Sequence, residues 1–200
     1  MLPLDVQPVI LDGNLVRLEP LSLTHVIGLA RFGKPELFQF FGGITVKEAS
    51  EAGVEAYVKG RLSLANTVSY AMVLKSDGLA VGHSSYMSIR PADGVVEIGG
   101  TWIGEPYQGT FVNPEVKHLM IGHAFETLGC VRVELKTDER NLQSQNAMLK
   151  LGLIKEGVLR RHCINSDGYI RNSVYFSVLP EEWPAMKARL ESRLATLSAT

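Results

Sequence analysis

The sequence predicts an α+β (mixed α/β) fold built around one twisted sheet. Three observations carry that expectation. Strand-like segments come in groups separated by helices: a hairpin, two helices, three strands, helix, strand, helix, two strands, helix. Turn signals such as Ser76-Asp77-Gly78 and Pro91-Ala92-Asp93-Gly94 divide the central strands into short connections that suit antiparallel neighbours. The stretch from Val95 to Leu135 instead reads strand–helix–strand, which fits a right-handed parallel crossover.

Each element has a local reason. Val9-Ile10-Leu11 and Val16-Arg17-Leu18 flank Asp12-Gly13-Asn14, a hairpin signal in which Gly13 is expected to supply a positive φ. Ser22 is an N-cap for a short helix over Leu23 to Phe32, and Thr45 for a second from Val46 to about Leu64, interrupted by Gly53 and Gly60. Strands are expected at Tyr70 to Leu74, Ala80 to Ile89 and Val95 to Ile103. Asn113-Pro114-Glu115 reads as a helix start: Asn113 caps, Pro114 takes the first helical position, and Glu115 meets the positive end of the dipole. That helix is expected to run to about Leu128, before Gly129. Val131 to Leu135 alternates like a half-buried strand, and Asn141 to Leu151 is a helix with Gly152 at its C′ position. Two strands follow, Ile154 to Ile164 and Arg171 to Leu179, joined through Asn165-Ser166-Asp167-Gly168. Glu181 to Leu197 is amphipathic, with Trp183, Met186, Leu190, Leu194 and Leu197 on one face, suited to core packing or to a contact between two copies in a homodimer.

Composition narrows the function. The 200 residues, 46% hydrophobic and 20% charged, fit one globular domain over 1–200, with a core at about 11–180 and a terminal helix at 181–200. Twenty basic against 21 acidic residues leave a net charge of −1, which argues against a protein that binds nucleic acid by neutralising phosphates. Cys130 and Cys163 form no zinc pattern, and His118 and His123 are five residues apart, off a common helix face, so no metal is expected. No basic-then-apolar leader opens the chain, and no apolar run reaches the roughly 18 residues a span requires. The expectation is a cytoplasmic protein with no membrane partner.

The chemically informative stretch runs from Glu97 to Pro114: strand, tight turn, helix start. Gly109 lets the backbone bend sharply and approach a ligand. The amides from Gly109 to Asn113 then face outward at a helix N-terminus, where unpaired N–H groups and the dipole favour an anion such as a phosphate or diphosphate. A Walker loop is absent, because Glu105 follows Gly104, and no GxGxxG opens a helix. Asn141 stands at the next strand–helix junction, an N-cap whatever the function, with Ser144 one turn further along the same face. Glu97 is a lone carboxylate in Val95-Val96-Glu97-Ile98; it is either a surface residue of an alternating strand or a buried base whose pKa burial would raise. His162 is a second candidate base or a structural histidine. Arg160, Arg161 and Arg171 form the densest basic cluster, either solvated strand charges or a patch that attracts an acidic substrate or a coenzyme's 3′-phosphate.

The ordered combination of Glu97-Ile98-Gly99, Trp102, Gln108-Gly109-Thr110-Phe111-Val112-Asn113, Asn141-x-x-Ser144 and Leu151-Gly152-Leu153 resembles the GCN5-related N-acetyltransferase (GNAT) superfamily. The similarity covers about Leu11 to Pro184 and is nearest to the RimJ/RimL-type branch, which acetylates ribosomal-protein N-termini. It implies a mostly antiparallel sheet with a parallel pair splayed at its centre, flanked by helices. It implies acetyl-CoA as co-substrate, lying between the strands around Glu97–Ile103 and Val131–Thr137. Gln108, Gly109, Thr110, Phe111, Val112 and Asn113 would hold the pyrophosphate, and the backbone of Trp102 and Ile103 the pantetheine. Asn141 would bind the pantetheine or the adjacent CoA, and Ser144 would lie by the thioester sulfur as the acid. The acceptor would be a peptide N-terminal amine or small amine, and a homodimer is the family's habit. The sequence departs from the family pattern at Pro106 and Phe111 in the loop, and at Met148, where many relatives carry an acidic tyrosine. A non-catalytic acyl-CoA-binding module is the alternative function, and a generic nucleotide-phosphate binder a weaker one.

Overall fold

The computed structural model describes residues 3–198. Eight strands form one sheet: β1 (Leu11–Asp12), β2 (Val16–Pro20), β3 (Val68–Leu74), β4 (Ala80–Arg90), β5 (Val95–Ile103), β6 (Arg132–Asp138), β7 (Ile154–Ile164) and β8 (Ile170–Val178). Their spatial order is β1-β2-β3-β4-β5-β6-β8-β7. Every neighbouring pair is antiparallel except β5 and β6, which run parallel. The helices are α1 (Val26–Ala30), α2 (Glu51–Leu62), α3 (Val112–Gly122), α4 (Leu142–Leu151) and α5 (Trp183–Ser198). The fold class expected from the sequence is the one observed.

Two apolar clusters sandwich the sheet. On one face, Val96, Ile98, Val133, Leu135, Val174, Phe176 and Val178 pack with residues of α3, α4 and α5, including Val116, Met120, Leu151, Trp183 and Met186. On the other, Val26, Leu29, Val54, Tyr57 and Val58 of α1 and α2 pack on Ala71, Val73, Ala80 and Trp102, which belong to β3, β4 and β5. Because strand side chains alternate, Glu97, Glu134, Lys136, Asp138, Arg171, Ser173 and Tyr175 fall on this second face, beside the α1–α2 cluster. The apolar face of α5 docks on its own chain through Trp183, Met186 and Leu190.

Several local expectations change. The second helix begins after Ser50, whose hydroxyl accepts from the Gly53 amide, and not after Thr45, which is buried beside core residue Val46. The first expected helix divides into a 3₁₀ turn, Leu23–His25, and α1. The long helix from the Gly109 turn is α-helical only to Gly122 and continues as a π turn, His123–Thr127. Asn113 is not its cap: the helix begins at Val112, whose amide is accepted by the Thr110 hydroxyl at 3.3 Å. Gly13 is needed for space and not for a positive φ. A Cβ there would lie 2.5 Å from the Glu115 carboxylate.

That contact explains Glu115. It is buried on α3, and its Oε1 accepts the backbone amides of Asn14 and Leu15, pinning the β1–β2 turn across the core. Hydrogen bonds to a charged acceptor contribute roughly 1.5–3 kcal/mol, and stranding buried donors costs similarly. Glu115→Ala is therefore expected to lower the unfolding free energy by about 2–3 kcal/mol, read from the urea midpoint. Replacement without loss would mean the turn is held by other contacts.

Candidate active site

The parallel pairing of β5 and β6 is short. Val95, Val96 and Glu97 face Arg132, Val133 and Glu134, and the pairing stops there. β5 continues to Ile103 along β4, while β6 continues to Asp138 along β8. The sheet therefore opens into a V with Glu97 on its last closed rung. A bulge beside the vertex helps re-aim β5: Ser85 and His83 of β4 are two residues apart, but their partners Gly99 and Trp102 are three apart. Gly100, inside the bulge, has φ +62°.

Strand alternation decides which β5 backbone groups face the V. The Gly104 amide donates to Val81 on β4 at 2.8 Å, so Trp102 turns its peptide groups toward β4 and Ile103 turns its own to the open side. The Gln108 side chain donates to the Ile103 carbonyl at 3.0 Å, consistent with that direction. Of the two residues expected to offer backbone to a ligand, Ile103 turns its peptide groups to the open side and Trp102 turns its own to β4. Trp102 contributes its indole, which packs with Phe38 and donates to the Tyr57 hydroxyl at 3.1 Å.

The turn at the open end has the sharp backbone bend expected at Gly109. Gly109 has φ +76° and stands exposed, with open space where a Cβ would project. The amides of Gly109, Thr110, Phe111 and Asn113 make no hydrogen bond among the described residues. Val112 is the exception through its Thr110 cap, and Pro114 has no N–H to offer. The Phe111 ring packs against the core, leaving its amide to the turn. This cluster of unpaired donors beside a helix start fits the diphosphate of a coenzyme.

Across the V, the Asn141 Oδ1 accepts the Ser144 amide at 3.0 Å and caps α4, as the sequence indicates. The Ser144 hydroxyl makes no hydrogen bond among the described residues. Met148, four residues on, is buried in the core. Glu97 is 3% exposed, as its apolar neighbours suggest, but it is not lone. Its Oε2 lies 2.6 Å from the Lys136 ammonium and accepts from Ser88 Oγ at 3.1 Å. Lys136 also sits over the Tyr175 ring, whose hydroxyl is 3.2 Å from His162 Nε2. His162 Nδ1 meets Ser173 Oγ at 3.0 Å, and burial, with Lys136 and Arg171 nearby, lowers the pKa of the imidazole. Lys136 and Tyr175 were invisible as partners in the sequence, although Glu134, Lys136 and Asp138 alternate with apolar residues and mark the polar face of β6.

A second polar network lies on the α2 side of the bulge. His83 Nδ1 is 2.9 Å from both the Gly100 carbonyl and the Tyr57 hydroxyl. The carbonyl can only accept, so Nδ1 carries the proton. Full burial, with the Arg61 charge close by, drives the His83 pKa down to about 3 and keeps the ring neutral. Ser85 Oγ links His83 Nε2 to Ser69 Oγ and accepts from Arg61 Nη2 at 2.9 Å.

On the helical side, Lys117 of α3 is buried without an ion-pair partner among the described residues, its Nζ donating to Thr101 Oγ1 at 3.1 Å. Burial drives its pKa down to about 7. From pH 7 to the unfolded value near 10.5, the unfolded chain holds this proton and the folded chain sheds it. Stability should therefore rise with pH across that window, by roughly 1 kcal/mol per pH unit from this group alone. Lys117→Met should flatten the rise between pH 7 and 9 in denaturant titrations; an unchanged slope would show that Lys117 does not titrate there.

A parallel pair thus splays open beside a turn of unpaired amide donors. The acetyltransferase (GNAT) domain family matches residues 16–154, and the chain belongs to it. It is 28% identical over 136 residues to the ribosomal-protein-serine acetyltransferase of Escherichia coli (strain K12), covering 66% of this chain and 74% of that one. It is 24% identical over 119 residues to the uncharacterized N-acetyltransferase YnaD of Bacillus subtilis (strain 168), covering 59% and 68%. Among solved structures, a GCN5-related N-acetyltransferase from Brucella melitensis superposes with a TM-score of 0.89 at 28% identity, covering 97% and 89% of the two chains. An acetyltransferase activity follows from the family, and its members use acetyl-CoA as co-substrate.

Proposed function

We propose that this enzyme transfers the acetyl group of acetyl-CoA to a primary amine, either a peptide N-terminal α-amine or a small amine, by direct attack on the thioester. The observation that carries this reading is the set of unpaired amides at Gly109, Thr110, Phe111 and Asn113, at the mouth of a V whose open edge presents Ile103. The coenzyme supplies an activated acyl thioester. Those amides seat the diphosphate; Gln108, expected from the sequence to join them, instead gives its amide to the Glu105 carbonyl and its side chain to Ile103. Ile103 aligns the pantetheine arm against β5, and Asn141 offers its free amide nitrogen from the opposite wall.

The acceptor must lose a proton before it attacks. At pH 7 roughly one α-amine in ten is neutral, against one lysine amine in a few thousand, so an α-amine or another low-pKa amine is the easier acceptor. Glu97, fixed at the vertex by Lys136 and Ser88, takes up the proton through water. Ser144, whose hydroxyl is uncommitted, gives a proton to the departing thiolate, a role Met148 has no group to fill. Holding amine and thioester in one groove supplies much of the acceleration, and no cysteine nucleophile is required. Resemblance to the ribosomal-protein-serine acetyltransferase supports a peptide N-terminus of the RimJ/RimL kind. Both cysteines are free thiols, which suits a reducing cytoplasm. The departures at Phe111 and Met148 leave one alternative, a module that binds acyl-CoA without transferring it.

The test is release of free CoA thiol from acetyl-CoA with a panel of α-amine peptides and small amines. Glu97→Gln should lower kcat about 10²-fold and Ser144→Ala about tenfold, with CoA affinity changed less than about twofold. Unchanged turnover in both variants would remove them from the chemistry. Tight CoA binding with no thiol release from any amine would favour the non-catalytic module.

A further inference from the structure

Two buried arginines on the α1–α2 side of the sheet lack a counter-charge. Arg61, in the last turn of α2, is 7% exposed, and Arg171 on β8 is also 7% exposed. Neither forms an ion pair among the described residues. Arg61 spends one nitrogen on a neutral hydroxyl, Ser85 Oγ, and its Nε has no partner. Arg171 gives Nη1 to the Phe40 carbonyl at 3.2 Å, while its Nε and Nη2 have none. A buried guanidinium without a carboxylate carries a desolvation cost of several kcal/mol, and each orphaned donor adds to it. The C-terminal end of α2 offsets only part of the Arg61 charge.

The acids on this face are already committed. Glu97 is held by Lys136, Asp138 by Arg140 and Asn165, and Glu134 by Arg90 and Arg132. No carboxylate among the described residues pairs with either arginine. The Arg61 guanidinium lies 3.0–3.5 Å from where a Cβ on Gly100 would sit, so it rests directly on the β5 bulge, beside the vertex of the V. Arg171 shares this face with Ser173 and Tyr175, and the loop that carries Phe40 also sets Phe38 against Trp102 and bridges Gly42 to Asn165. That loop connects the surroundings of the two arginines.

We propose that the acceptor amine also carries a carboxylate, with Arg61 at the bulge as its main seat and Arg171 as a second cationic donor on the same face. The inference rests on the acetyltransferase reading and names its substrate class. The carboxylate belongs either to a free amino acid or to an acidic residue at the start of a peptide. A guanidinium suits it because its donors are fixed in a plane that matches a carboxylate.

The experiment uses CoA-saturated protein and matched product pairs, titrated by calorimetry. One pair is N-acetylalanine and its amide; the other is an N-acetyl dipeptide amide beginning with Asp or with Asn. The unacetylated compounds are compared in the thiol-release assay. The carboxylate member of at least one pair should bind, and its amine react, at least tenfold better than the neutral member, and the favoured pair identifies the source. Arg61→Met should reduce that ratio below about threefold, and Arg61→Lys should restore part of it. Equal binding of charged and neutral members, or no carboxylate binding at all in protein that still binds CoA, overturns the proposal. Absence of thiol release with every amine, while the Arg61-dependent carboxylate preference persists, would count against acetyl transfer and leave the anion seat standing.

Discussion

The pairing of β5 with β6 ends after Glu97 and Glu134, and beyond that rung the Ile103 peptide faces no neighbouring strand. In an ordinary sheet such an edge is either exposed or filled. Here it lies in the middle of eight strands, because β4 and β8 hold the two diverging strands from outside. The Glu97–Lys136 ion pair ties β5 to β6 at the vertex itself. The bulge at Gly99–Gly100 bends β5 away, and the turn at Gly109 delivers the chain to α3 with its amides unpaired. Each of these features would be a defect in a closed sheet. Together they form an open slot, the proposed seat of the coenzyme.

The faces of the sheet divide the chemistry. Behind β5, toward α3, lie Lys117, Thr101 and Ser84, a small hydrogen-bonded group in a mostly apolar layer. On the opposite face lie the committed acids, the His162–Tyr175 pair and the two unpaired arginines. Neutral His83, held by Gly100 and Tyr57, supports the bulge between these regions without adding charge. In the proposed reaction, coenzyme and acceptor meet at the opening, beside the last closed rung that carries Glu97 and Glu134.

Much of the fold could be read from local signals. The Gly109 turn, the Asn141 cap and Gly152 at the end of α4 follow from backbone requirements that only a few residue types satisfy. Where two segments offered similar local chemistry, tertiary contacts decided. Thr45 and Ser50 are both plausible caps, and burial of Val46 with the Gly42–Asn165 bridge placed the helix after Ser50. Gly13 looked like a turn residue but answers to Glu115, some hundred positions away. The same limit hid most of the candidate site. The resemblance singled out Glu97 and Ser144, but Lys136 beside Glu97 depends on strand register, and Arg61 over Gly100 depends on how α2 packs on the sheet. Neither leaves a short-range trace in the sequence.

The turn amides and the open edge of β5 are the proposed binding surface for the coenzyme. Backbone amide resonances followed during a CoA titration test it most directly. Gly109, Thr110, Phe111, Asn113 and Ile103 are expected to shift together and saturate with one affinity, while the amides of β1 and β2 stay in place. Saturable binding that moved other amides and left these five unchanged would contradict it.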